Sequence, residues 1–156
     1  MTETDALQRL AIRDLVERYF AGVDRKDRSL VLSCFTDDCL YEFAVEGRSA
    51  RGRAELEKVF GGLGSPDRSG QSSHGIYNTI ITVSGAEATA DTMAVAHLIE
   101  GVAGPGHVMV RGLRYEDRLV RQADGWRIAH RIHRSLWQYD AEAVSPDLRQ
   151  RTGSGM

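Results

Sequence analysis

Five histidines, at 74, 97, 107, 130 and 133, are the residues of this 156-residue chain best suited to move a proton, since imidazole titrates near neutrality unaided. His74 and His97 lie in SHGIYNTIITV and ATADTMAVAHLIE, two extended segments separated by SGAE. If these pair antiparallel and symmetrically about Gly85 and Ala86, His74 faces His97, Ile76 faces Val95 and Asn78 faces Met93. One end of the ribbon then carries imidazoles; a bulge would spoil that register. Each histidine can equally fill an amphipathic strand position and hydrogen-bond a neighbour. A metal site fails on company: there is no HExxH and no HxH beside a carboxylate, and His130 and His133 point to opposite faces of one strand. Asp24, in RYFAGVDRKDRS, follows a helical stretch and sits among Arg25, Lys26 and Arg28. It is either a solvated turn residue or the partner of something buried.

The elements that must position these groups are legible from periodicity. DALQRLAIRDLVERYFAGV sets Leu7, Leu10, Ala11, Leu15, Tyr19 and Val23 near one helical face, with Thr4 or Asp5 capping its start and Gly22 ending it. A short helix is expected over Arg28–Phe35, TDDC turns into a strand CLYEFAV, and ARGRAELEKVFGGLG reads as a third helix ending at Gly61 and Gly62. SPDRSGQSS is the most linker-like segment and is expected to border the site. Beyond residue 72 the period becomes extended, giving four strands separated by SGAE, GVAGPG and QADG, for which an antiparallel meander is the economical topology. Helices first and a curled sheet afterwards make an α+β fold. The expected organisation is one domain over residues 1–140 and a tail over 141–156.

Composition narrows the function. A hydrophobic fraction of 42% against 27% charged residues is a globular balance, and a net charge of -2 offers no basic surface for nucleic acid or an anionic membrane. No apolar run is long enough to span a bilayer and the N-terminus carries acids where a signal peptide carries bases, which points to a cytoplasmic setting. Cys34 and Cys39 read as small apolar side chains.

With Tyr19, Asp24, the strand-borne His74 and the final WRIAHRIHRSLW in hand, the chain resembles a SnoaL-like protein of the nuclear transport factor 2 superfamily over roughly residues 5–140. The resemblance implies a cone-shaped α+β barrel, with three N-terminal helices packed on a curved, mostly antiparallel sheet around an apolar pocket. The functional relatives it suggests are scytalone dehydratase, bile acid dehydratase and hexachlorocyclohexane dehydrochlorinase. In the last two, a helix-end motif like GVD supplies an aspartate that pairs with a histidine about fifty residues later, a pattern that Asp24 and His74 fit. It further implies that Tyr19, five residues before Asp24, is the counterpart of a catalytic tyrosine, and Arg131, five after Trp126, that of a pocket arginine on the last strand. His97 resembles the second histidine of scytalone dehydratase only as a cross-strand neighbour, and no equivalent of the polyketide cyclases' acid is evident. A homo-oligomer, trimer or dimer, is implied as well. Because the superfamily includes non-catalytic members, the fold alone licenses only a pocket.

These residue types suit elimination. His74 would take a proton from carbon beside a leaving group, and a buried carboxylate on its far nitrogen would fix the tautomer and stabilise the imidazolium. That is the role for Asp24, turned inward while its basic neighbours remain in water and serve solubility. Tyr19 and Arg131 would stabilise developing negative charge. His97, Asn78, Phe20, Phe43, Met93 and Trp137 would contact the substrate, within a wall that also draws on Phe35, Phe60, Ile76 and Leu113. The reading is a lyase that needs no metal or cofactor, most simply a dehydratase of a hydrophobic cyclic molecule such as a steroid, polyketide or terpenoid. The alternatives are a cyclase or isomerase in the same pocket, a non-catalytic binder, or a protein like the small subunits of ring-hydroxylating dioxygenases.

Overall fold

Apolar residues at helical spacing drive the first element, α1 (Glu3–Asp24), which buries Ile12, Leu15, Val16, Tyr19 and Phe20. A computed structural model describes residues 3–63, 70–100 and 106–143. Toward the N-terminus the buried stripe of α1 continues at Gln8, whose Oε1 accepts from Trp126 Nε1 at 2.8 Å. The face expected from Leu7 and Leu10 is therefore corrected: both are more than half exposed, because a polar residue occupies the row that continues the stripe.

Gly22 does not end the helix. Asp27 N–H bonds the Gly22 carbonyl at 2.8 Å and Lys26 N–H the Val23 carbonyl at 3.2 Å, with Lys26 at φ 59° in the left-handed slot. This is the six-to-one and five-to-two closure of a Schellman cap. Gly22 serves close approach instead: a Cβ there would lie 2.9 Å from Val31 Cγ2 and 3.1 Å from Val31 N. Asp27 then caps α2 (Arg28–Ser33) by accepting from Leu30 N at 2.9 Å. Gly22→Ala is expected to destabilise by about 1–3 kcal/mol through overpacking, although the same change in an exposed helix stabilises by about 1 kcal/mol. Urea unfolding decides the sign, and a gain in stability would show that the two helices separate freely.

The remaining elements are β1 (Phe35–Phe43), β2 (Arg48–Arg51), α3 (Gly52–Val59), β3 (Gln71–Ser84), β4 (Glu87–Glu100), β5 (Gly106–Gln122) and β6 (Gly125–Ala143). They form one six-stranded sheet in the order β2-β1-β6-β5-β4-β3. The four long strands make the expected antiparallel meander, while β1 joins β6 in parallel and β2 folds back on β1. The α+β cone is thus present as a curved sheet that does not close, with β2 and β3 as edges. TDDC is part of β1 rather than a turn before it, β2 was not foreseen, and α2 and α3 stop earlier than their sequence patterns suggested. SPDRSG (65–70, in part), most of GVAGPG and everything after residue 143 lie outside the described residues. No helix among the described residues is long and apolar enough to cross a membrane.

Register builds the inner face in rows, since alternate residues of every strand point the same way. One row runs Ile81, Ala90, Asp117, Arg131, Tyr41; the next Thr79, Thr92, Tyr115, His133, Phe43; then Ile76, Ala94, Leu113, Ser135; then His74, Ala96, Arg111. β4 contributes only small side chains to these rows, and the helices lie over them.

Candidate active site

The Schellman turn leaves Asp24 as the last helical residue of α1, beside the start of β3. Its Oδ1 lies 2.7 Å from His74 Nδ1 and its Oδ2 accepts from the His74 backbone N–H at 2.8 Å, so one carboxylate holds both the ring and the main chain of the same residue. The His74 side chain is 7% exposed and that of Asp24 24%, and the imidazole leans on Phe20 at 5.2 Å between ring centres. Burial pushes the Asp24 carboxyl up, but the hydrogen bonds from the His74 ring and backbone outweigh it and hold the group below its ordinary 3.8. An ionised carboxylate can only accept, so Nδ1 carries the hydrogen and Nε2 is left as the basic atom. Lys26, expected to do no more than solubilise, instead donates to Ser72 Oγ at 2.9 Å beside this pair. With Arg28, Ser29, Leu32, Glu57, Gly61 and Leu63 it also lines an open cleft of about 560 Å³.

Tyr19 and Arg131 meet, but Arg131 is committed to Asp117 and is not free to face a substrate. Arg131 is fully buried and clamped by Asp117 through Nε at 2.7 Å and Nη2 at 2.6 Å, leaving only Nη1 without a partner. Burial works against its charge, yet Asp117 outweighs burial and keeps the guanidinium ionised. The cation packs 4.1 Å from the Tyr19 ring centre and 4.7 Å from that of Tyr115. Tyr19 Oη lies 3.3 Å from Tyr41 Oη. Burial raises all three phenols above the usual tyrosine range, partly offset at Tyr19 by Arg131, so they are donors at neutral pH and not bases.

Phe20, on α1 over the inner face of the sheet, packs between His74 and Tyr115 at 5.2 and 5.3 Å, and Phe43, on the inner face of β1, lies against Tyr41 and His133 at 4.6 and 5.6 Å. The other four residues expected to contact substrate are not there. A bulge between Ile76 and Asn78 shifts the ribbon by one residue, so His74 faces Ala96 and Ile76 faces Ala94, while His97 sits opposite Ser73 on the outer face and exposed. Asn78 does face Met93, yet the pair projects from the outer side of the sheet. Trp137 is also outside, 47% exposed and stacked on Tyr139, its indole lying across Gly112.

Sequence reasoning passed over Tyr41, Tyr115, Asp117 and Arg111, and weighed His133 only as a metal ligand. The signal was available in part: Leu113, Tyr115, Asp117 and Leu119 alternate along β5, and a carboxylate in such a series demands a buried partner. His133 is buried among Tyr41, Phe43 and Tyr115, with Nδ1 unpartnered. Burial lowers its pKa from 6.5 to about 4, with Arg111, Arg131 and Arg48 pushing the same way and Glu46 opposing. Between those values the unfolded chain binds a proton that the folded protein does not, so stability falls as pH drops through that window, by about 3 kcal/mol. Chemical unfolding of His133→Asn from pH 4 to 7 is expected to lose that part of the slope. Among the described residues, no three His, Cys, Asp or Glu side chains converge as metal ligands.

This geometry can be compared with known proteins. A model of the SnoaL-like domain matches residues 4–132. No curated protein matches the sequence significantly. Among solved structures, a putative scytalone dehydratase from Novosphingobium aromaticivorans superposes with a TM-score of 0.76 at 23% identity, covering 93% of this chain and 95% of that one. A hexachlorocyclohexane dehydrochlorinase from Novosphingobium barchaimii gives 0.75 at 19% identity, covering 93% and 100%. A protein of unknown function from Mycobacterium tuberculosis gives 0.72 at 29% identity, covering 87% and 77%. A family match over most of the chain, on a cone-shaped sheet shared across these structures, establishes that the protein belongs to the SnoaL-like domain family of the nuclear transport factor 2-like superfamily.

Proposed function

We propose that the protein is a cofactor-independent lyase, a dehydratase of a hydrophobic cyclic small molecule, with His74 as base and Asp24 as its positioning partner. The observation that carries this is the two-point hold of Asp24 on His74, through the ring at 2.7 Å and the backbone at 2.8 Å. A histidine needed only for packing has no use for a carboxylate that fixes its tautomer and leaves Nε2 without a hydrogen.

In the proposed reaction Nε2 takes the proton from carbon next to a carbonyl, the C–H electrons form the new double bond, and the C–O bond to a β-hydroxyl breaks. Asp24 stabilises the imidazolium, which returns the proton to the departing hydroxide as water. Tyr19, paired with Tyr41 and backed by Arg131, donates to the oxygen on which negative charge develops. The same groups serve an isomerisation or cyclisation that begins with the same proton abstraction. A cytoplasmic setting and a homo-oligomeric state, trimer or dimer, belong to this proposal too.

The test is a panel of cyclic β-hydroxyketones followed by enone absorbance, with exchange of the α-proton in D₂O read by NMR. Water loss or exchange dependent on the protein is expected. Binding without either would make the chain a small-molecule binding module.

A further inference from the structure

We infer that Arg111, His133 and Ser135 form a second polar pole of the inner face, a subsite for a carboxylate, so that the substrate is a cyclic acid. This rests on the lyase reading only in calling the ligand a substrate. Arg111 shares its row with His74 and Ala96, and its Nη2 donates to Ser135 Oγ at 2.6 Å. Its neighbours Arg114, Arg127, Arg131 and Arg134 each pair with a carboxylate. Among the described residues Arg111 has no such partner, and its Nε is buried without any hydrogen bond. Two residues from Ser135 on the same strand face stands His133, more than nine-tenths buried, with Nδ1 equally unpartnered.

Two buried polar nitrogens left open are costly unless something bonds them, and with its hydrogen on Nδ1, the tautomer that an anion selects, His133 donates as Arg111 Nε does. His133 and Ser135 are about 7 Å apart along β6, and Arg111 reaches over Ser135, which brings its guanidinium toward the His133 ring and both within the reach of one carboxylate. Charge selects an acid over an amide or alcohol: burial is what chiefly keeps His133 neutral, but Arg111, Arg131 and Arg48 also act on it against the single opposing Glu46, a field that favours an anion. Arg48 adds to this field from β2, stacked 3.7 Å over Phe43. Arg111 lies two strands from His74 and His133 and Ser135 three, roughly 10 and 14 Å across the sheet, with Phe20 and Tyr115 packed between the two poles.

The probe pair is 2-naphthoate and the isosteric neutral 2-naphthamide, titrated calorimetrically into the full chain. We expect the wild type to bind naphthoate at least tenfold more tightly than the amide. Arg111→Met and His133→Asn, each checked for folding by near-UV circular dichroism, should bring the two within about twofold. In protein labelled with ¹⁵N-histidine, naphthoate should shift the His133 Nδ1 signal. Equal affinity of the two probes for the wild type, absent binding of naphthoate, or a preference that survives Arg111→Met overturns the subsite. Because the readout is equilibrium binding, His74→Ala should keep the preference. Loss of preference in the wild type sinks the subsite and spares the dyad, whereas absent turnover with the preference intact does the reverse.

Discussion

His74→Ala is expected to leave no measurable turnover while unfolding within about 1 kcal/mol of the wild type. The ring's main fixed contacts are Asp24 and the face of Phe20, and the backbone bond to Asp24 Oδ2 survives truncation. Asp24→Asn is the sharper variant. Asparagine keeps an oxygen for the His74 backbone N–H, but its amide then presents a donor to Nδ1, which moves the ring hydrogen to Nε2 and removes the base. A loss on the order of 10⁴ in kcat follows by analogy with triads whose acid is amidated, with substrate affinity little changed. The measurement is steady-state kinetics on a ketone that the wild type dehydrates. An Asp24→Asn protein within tenfold of the wild type would mean that the carboxylate merely ties α1 to β3.

Arg131→Met is expected to cost about 3–5 kcal/mol of stability, because it strands a buried carboxylate. Asp117 is 4% exposed and gives both oxygens to Arg131, so nothing else neutralises it. For a chain of this size the loss lowers Tm by on the order of 10 °C. Arg131→Met combined with Asp117→Leu should recover most of it, since an apolar pair of similar volume needs no compensation and the two sites are in contact. Calorimetry of the single and double variants reads the coupling directly. A double variant as unstable as the single one would show that the cation's packing against Tyr19 and Tyr115, rather than the stranded charge, sets the cost.

Local pattern in the sequence was enough for the order of elements and the four-strand meander, because helical and extended periods are written into neighbouring residues. It was also enough, through family likeness, for the pairing of Asp24 with His74. It misjudged the end of α1, since a glycine close to another helix and a glycine at a cap look the same until Val31 is known to lie 2.9 Å from where a Cβ would go. It misjudged His97 because one extra residue at Tyr77 slides every partner beyond it by one position, and side chains alternate between faces at each step. The parallel docking of β1 on β6 was out of reach for a different reason. That contact joins residues about ninety positions apart, and it alone sets Tyr41 beside Arg131 and Phe43 beside His133. Sequence therefore determined which residues could do chemistry at one end of the cone, and long-range strand pairing decided what surrounds them, since burial and charge pairing depend on neighbours that the chain supplies only after it folds.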